Sequence, residues 1–139
     1  MKKPVLILVD IAHVDSAFRV LTHAKDLFSN ADIHVAYVMP YGFYSYVEPF
    51  VSEESQTAAA ERAKSVLSTL IAQADMTSET TPHVLRGGIG EQCLRLAEKL
   101  QVSVVVLNAV RSGSTHVTLG TNAAQIARHA KCSVHLARD

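Results

Sequence analysis

Residues 4–10, with the sequence PVLILVD, decide the fold class. Five apolar residues in a row leave neither face of a strand polar, and an aspartate ends the run. Strands of this kind are typical of a parallel sheet that helices cover on both faces. Residues 102–107, with the sequence VSVVVL, are the most strand-like segment of the chain and have the same character. The two stretches together predict a covered parallel sheet.

Strand patterns and helical patterns alternate along the rest of the chain. Strands are predicted at residues 1–10, 33–39, 83–86, 102–107 and 133–137, with a polar connection at 77–82. Helices are predicted to begin after Asp15 or Ser16, after Ser52, at Gly87-Gly88-Ile89-Gly90 and at Gly120-Thr121. The order β-α-β-α-β-α-β-α-β predicts an α/β fold, a five-stranded parallel sheet with right-handed crossovers and helices on both faces.

Length, composition and charge narrow the class of protein. The chain has 139 residues, which suits one domain over residues 1–139, and its apolar share of 48% can fill a core. Thirteen basic residues balance thirteen acidic ones, so neither nucleic acid nor an anionic membrane is expected as a partner. The early apolar run Val5–Val9 is too short for a signal peptide or a membrane span. Two cysteines, Cys93 and Cys132, favour a reducing cytoplasm.

The predicted topology places a ligand site at one edge of the sheet. In sheets of this kind a ligand sits beyond the carboxyl ends of the strands, where the winding reverses. Asp10, residues 38–40 and the segment from Asn108 onward should therefore meet at one edge. Thr121 is predicted to be an N-cap, and Gly120 and Thr121 are predicted to present free N–H groups to an anion at a helix start.

The residue pattern does not support a metal site or a catalytic site. The seven histidines lie on separate elements without helical i, i+4 spacing, so no metal site is expected. Cys93 is predicted to be a core residue rather than a nucleophile. No catalytic residues are expected, since paired carboxylates and a Walker-type lysine are missing. The aromatic segment Tyr41 to Phe50 has two interpretations, a lid over the site or a contact with a second subunit.

Several motifs, taken in order, resemble the universal stress protein family over nearly the whole chain. They are VLILVD at 5–10, HVAYV at 34–38, Gly88-x-Gly90, VSVVVL at 102–107, Gly120-Thr121, and CSVHL at 132–136. The resemblance implies an adenine-nucleotide alpha-hydrolase-like (Rossmann-like) architecture. It also implies a homodimer joined through the last strand, Ser133 to Ala137.

The resemblance implies particular site residues as well. One branch of the family binds ATP or AMP and another does not. In the binding branch an aspartate follows the first strand, which corresponds to Asp10, and the residue that touches adenine corresponds to Val38. A Gly-x2-Gly-x9-Gly-Ser/Thr loop holds ribose and phosphates, and its end corresponds to Gly120 and Thr121.

The start of that loop departs from the family pattern. Its two glycine positions fall on Leu107 and Val110 in one register and on Asn108 and Arg111 in the other. Glycine suits such a loop because it lets backbone N–H groups approach phosphate closely. The segment that follows still offers a cation and hydroxyl groups, so phosphate contacts are also expected from Arg111, Ser112 and Ser114.

The resemblance and its departure at the loop lead to two hypotheses about function, from different classes. The first is a cytoplasmic stress-response regulator that binds ATP or AMP, with or without magnesium, at the edge of the sheet. Any ATP hydrolysis by it would be slow. The second is a dimeric protein-interaction module that binds no nucleotide. The missing loop glycines favour the second, and so does the apolar last strand, because an exposed sheet edge is normally paired or covered.

Overall fold

A computed structural model describes residues 3–39, 53–76, 80–110 and 118–138. Its strands and helices alternate, as the sequence predicts. The elements are β1 (Pro4–Leu8), α1 (Val14–Leu27), β2 (Asp32–Met39), α2 (Glu53–Gln73), β3 (Thr80–Arg86), α3 (Ile89–Leu100), β4 (Val104–Asn108), α4 (Thr121–His129) and β5 (Ser133–Ala137).

The five strands form one parallel sheet in the order β3-β2-β1-β4-β5, which confirms the predicted fold class. β1 is the central strand, and its Ile7 pairs with Val35 on β2 and with Val106 on β4. From β1 the chain winds outward to β3, then returns and winds the other way through β4 to β5. The winding therefore reverses between the carboxyl ends of β1 and β4.

Each face of the sheet has its own apolar layer. On one face, side chains of β1 and β2 pack against α1 and α2, with Ile7, Val35 and Leu67 at 0% exposure. On the other face, Leu6 and Ile126 are equally buried, where α3 and α4 cover the sheet. Burial on both faces explains why β1 is apolar at successive positions. Each fully buried side chain of this size stabilises the fold by roughly 1.5–3 kcal/mol.

The third strand is longer than the sequence pattern predicts. β3 begins at Thr80 rather than at residue 83, so Thr80, Thr81 and Pro82 extend the ladder with β2. Residues 77–79 of the predicted polar connection lie outside the described residues. Pro82 is tolerated because β3 is an edge strand, where a missing N–H group need not break the sheet.

A pair of histidines joins β2 to β3. His34 Nδ1 lies 2.9 Å from His83 Nε2. Burial lowers the pKa of His83, and the charges of His34, Lys99 and Lys64 lower it further. The folded protein therefore resists protonation of His83 more than the unfolded chain does.

Acid should weaken the fold through His83. The unfolded chain takes up this proton near the ordinary pKa of 6.5, so the stability that His83 contributes is complete above that pH and is lost as the pH falls below it. We expect the free energy of unfolding in urea to be lower at about pH 5.5 than at about pH 7.5. His83→Gln should reduce this pH dependence, whereas His129→Gln, at an exposed position in α4, should not. An equal loss of stability in the wild type and in His83→Gln would contradict the assignment.

Candidate functional site

A cavity of about 490 Å³ lies at the carboxyl edge of the sheet, where the winding reverses. Its walls come from the ends of β1, β2 and β4 and from the first residues of α3 and α4. The lining residues are Leu8, Val9, Asp10, Ala12, Tyr37, Val38, Ile89, Leu107, Asn108, Val110, Gly120, Thr121, Asn122 and Ala123. We call this cavity the crevice.

The crevice brings together four residues that the sequence singled out. Asp10, Val38, Gly120 and Thr121 all line it, although Asp10 and Thr121 are more than a hundred residues apart in the chain. Three further predicted phosphate contacts lie outside the described residues, namely Arg111, Ser112 and Ser114. The aromatic segment Tyr41 to Phe50 also lies outside them.

A tight turn after β1 positions the carboxylate of Asp10. Its Oδ1 accepts the N–H of Ala12 at 3.0 Å, and its backbone carbonyl accepts the N–H of His13 at 3.1 Å. The other oxygen, Oδ2, lies 3.9 Å from Nε2 of His13. The Asp10 side chain is 55% exposed, so a ligand in the crevice can reach this oxygen. A carboxylate so placed is an acceptor for hydroxyl or amino groups of a ligand.

Tyr37 is a site residue that the sequence reasoning missed. It lies next to Val38 at the end of β2 and lines the same crevice. Burial raises the pKa of the Tyr37 phenol, and the charge of Asp10 raises it further, so the phenol keeps its proton. Its neighbour Val38 is 2% exposed. Any ligand contact at Val38 is therefore mostly with its backbone, whereas Tyr37 presents a ring and a hydroxyl donor.

The first turn of α4 forms the opposite wall. The backbone N–H groups of Thr121, Asn122 and Ala123 have no hydrogen-bond acceptor among the residues that the structure describes. The first N–H groups of a helix carry its partial positive charge, so this end attracts anions. The nine residues of α4 begin directly at the crevice.

Two predictions about this helix start are wrong. Gly120, in an extended conformation, is the N-cap, and Thr121 is the first helical residue. The N–H of Gly120 is also not free, because it donates to the carbonyl of Ala109 at 2.9 Å. This bond joins the residue before α4 to the residue that follows β4.

Hydrogen bonds join the end of β4 to α1 and to β5. Asn108 Nδ2 donates to Ser16 Oγ on α1 at 2.8 Å, and the N–H of Ala109 donates to the carbonyl of Ala137 at 2.8 Å. Leu107 lies within β4 and is 4% exposed. The strand continues through Asn108, which pairs with Ala137 on β5, so both candidate first positions of the loop, Leu107 and Asn108, lie within β4.

Cys93 is part of the core. It lies on α3 and is fully buried in the apolar layer on that face of the sheet, and burial, with a smaller effect of Cys132, raises the pKa of its thiol to about 12. Such a thiol stays protonated at neutral pH and is a poor nucleophile. This agrees with the prediction of a core residue.

The described residues contain neither a cluster of metal ligands nor a membrane-spanning helix. Within residues 3–39, 53–76, 80–110 and 118–138, no three histidine, cysteine or acidic side chains are grouped to hold a metal ion. Among the helices of the same described ranges, none has the length and apolar character that crossing a membrane requires.

Comparison with known proteins points to one family. The model of the universal stress protein family matches residues 1–138. Universal stress protein G from Shigella flexneri is 30% identical over 147 residues, which cover 99% of this chain and all of that protein.

Solved structures show the same fold at lower sequence identity. The universal stress protein UspA from Lactobacillus plantarum has a TM-score of 0.73 at 22% identity, over 99% of this chain and 100% of that one. The universal stress protein from Archaeoglobus fulgidus in complex with dAMP has a TM-score of 0.64 at 16% identity, over 98% of both chains.

Proposed function

This chain belongs to the universal stress protein family, and from that premise we propose that it is a stress-response regulator that binds an adenine nucleotide in the crevice. One observation carries the proposal. A carboxylate, Asp10, and the first turn of a helix, α4, face the same cavity at the point where the winding of the sheet reverses. The complex of the A. fulgidus family member with dAMP supports a nucleotide as the ligand.

Each wall suits a different part of a nucleotide. Asp10 would accept hydrogen bonds from ribose hydroxyls, and the end of β2 at Val38 would lie against the adenine. The free N–H groups of Thr121, Asn122 and Ala123 would bind a phosphate, as helix N-termini commonly do. Hydrogen bonds to charged groups contribute roughly 1.5–3 kcal/mol each, so loss of the Asp10 carboxylate should be measurable.

The identity of the ligand and the place of action belong to the proposal as well. We take the ligand to be ATP or AMP, with magnesium accompanying ATP. Arg111, Ser112 and Ser114 are proposed as further phosphate contacts. Both cysteines of the chain are free thiols, which supports a reducing cytoplasm as the compartment.

Calorimetric titration with AMP and with ATP, with and without magnesium, tests nucleotide binding. We expect saturable binding by the wild type, and binding weaker by about tenfold or more in Asp10→Ala, because about 1.4 kcal/mol corresponds to tenfold. Asp26→Ala, which removes an exposed carboxylate from the far end of α1, is the matched control and should bind as the wild type does. Absence of saturation with either nucleotide at millimolar concentration, or equal affinities of the two variants, would contradict the proposal.

A second candidate function is the dimeric interaction module, and the shape of the sheet favours it. β5 is the last strand of the sheet and pairs only with β4 among the described residues. Its residues are mostly half-buried, whereas the first four residues of β4 are buried. The opposite edge strand, β3, contains Pro82, which hinders pairing with another strand, but β5 contains no proline. We propose that two copies associate through β5.

Sedimentation velocity of two variants with an added lysine tests this association. We expect the wild type to sediment as a dimer at micromolar concentration. Ser133→Lys, at the exposed start of β5, should weaken the dimer because it places like charges along a shared edge. Thr81→Lys on β3 is the matched control at the other edge and should leave the dimer intact. A monomeric wild type, or equal effects of the two lysines, would rule out association through β5.

A further inference from the structure

Three side chains form a hydrogen-bonded chain across β2 and β3, away from the crevice. Asp32 Oδ2 lies 3.3 Å from His34 Nε2, and His34 Nδ1 lies 2.9 Å from His83 Nε2. The His34 side chain is only 12% exposed, whereas Asp32 is 49% exposed. All three residues stand on paired strands of the sheet, so their relative positions are fixed by the backbone ladder.

The carboxylate determines where the protons of both rings lie. An ionised Asp32 only accepts hydrogen bonds, so the neutral form of His34 carries its proton on Nε2 and has a lone pair on Nδ1. That lone pair accepts the Nε2 proton of His83. Of the two rings, only His83 then has an unused lone pair, and it is on Nδ1. This is the arrangement of a nucleophile beside a base that a third group orients.

Nδ1 of His83 is at least partly exposed to solvent. It has no hydrogen-bond partner among the described residues, and none of their side-chain nitrogen or oxygen atoms is both buried and unpaired. The ring also stays neutral, since burial lowers the pKa of His83 and the positive charges of Lys99 and Lys64 lower it further. The two lysines come from helices on opposite faces of the sheet, α3 and α2, and their positive charge favours the approach of an anion.

We propose that His83 is a phosphate-accepting histidine, with Nδ1 as the nucleophile and with His34 and Asp32 as positioning residues. The substrate class is small phosphoryl donors with a good leaving group, such as phosphoramidates and acyl phosphates. A neutral imidazole and a base within hydrogen-bond reach are what such a transfer requires. His83 does not line the crevice, so this site is separate from the proposed nucleotide site.

The phosphoryl group passes from a phosphoramidate donor to His83 in a single displacement. The Nδ1 lone pair of His83 attacks phosphorus, an Nδ1–P bond forms, and the P–N bond of the donor breaks with its electron pair leaving on ammonia. The Nε2 proton of His83 passes to Nδ1 of His34, so the phosphorylated ring is neutral. His34 becomes an imidazolium, and the carboxylate of Asp32 balances its charge.

A second histidine pair provides an internal control. His23 on α1 and His135 on β5 also lie with their Nε2 atoms 2.9 Å apart. Among the described residues, no carboxylate partner is found for either ring. The two pairs differ in the feature that the proposal invokes, the carboxylate that orients the base.

Phosphorylation of the full chain by phosphoramidate, mapped by mass spectrometry under non-acidic conditions, tests the proposal. We expect His83 to be modified at least about tenfold faster than His23 or His135, the low end of what a positioned base contributes. Asp32→Asn and His34→Gln should slow the modification of His83, whereas Asp26→Asn should leave it unchanged. Phosphorus NMR at early times should show the Nδ1 isomer.

Two further measurements distinguish a nucleophilic role of His83 from a structural one. They are the pH profile of the phosphorylation rate and the rate in the unfolded protein. The rate at His83 should persist to lower pH than the rate at His23 or His135, because a ring with a lowered pKa stays neutral there. Unfolding in urea should remove the advantage of His83. Equal rates at the three histidines in the native protein, an unchanged advantage in urea, or modification of His83 at Nε2 would each overturn the proposal.

Discussion

The pairing of β1 with strands on both of its sides is the constraint on which the rest of the structure depends. One backbone ladder joins β1 to β2 and another joins it to β4, both parallel. Parallel pairing gathers all carboxyl ends at one edge. The reversal of winding at β1 sends α1 and α2 to one face and α3 and α4 to the other, so the segments that follow β1 and β4 diverge and leave a gap between the carboxyl ends of these two strands. The crevice is that gap.

Much of this arrangement could be predicted from the sequence because it rests on local patterns. Continuous apolar runs identify strands that are covered on both faces, and alternation with helical stripes identifies parallel crossovers. Once the strands are parallel, Asp10 and Thr121 must meet at one edge, whatever lies between them. The first residues of β3 were missed because Thr80 to Pro82 are polar or lack an N–H group. An edge strand tolerates such residues, and periodicity alone does not reveal which strand lies at an edge.

The finer features of the crevice depend on tertiary contacts that no local pattern encodes. The N–H of Gly120 is used by Ala109, a residue on another element, so the expectation of a free donor failed. The family resemblance points to Val38 alone for the adenine contact, and alternation along a strand places Tyr37 on the opposite face. At the end of a strand both faces open into the same cavity, so both residues line it. β2 also carries Asp32 and His34 near its start, so one strand supports both the crevice and the histidine chain.

Backbone amide NMR of the labelled protein during titration with AMP tests most directly whether the reversal of winding creates the ligand site. The account predicts that the largest shift changes fall on residues that adjoin the crevice from separate parts of the chain, namely the turn after Asp10, the end of β2 and the first turn of α4. Changes confined to one of these segments, or concentrated on β5 or around His83, would contradict it.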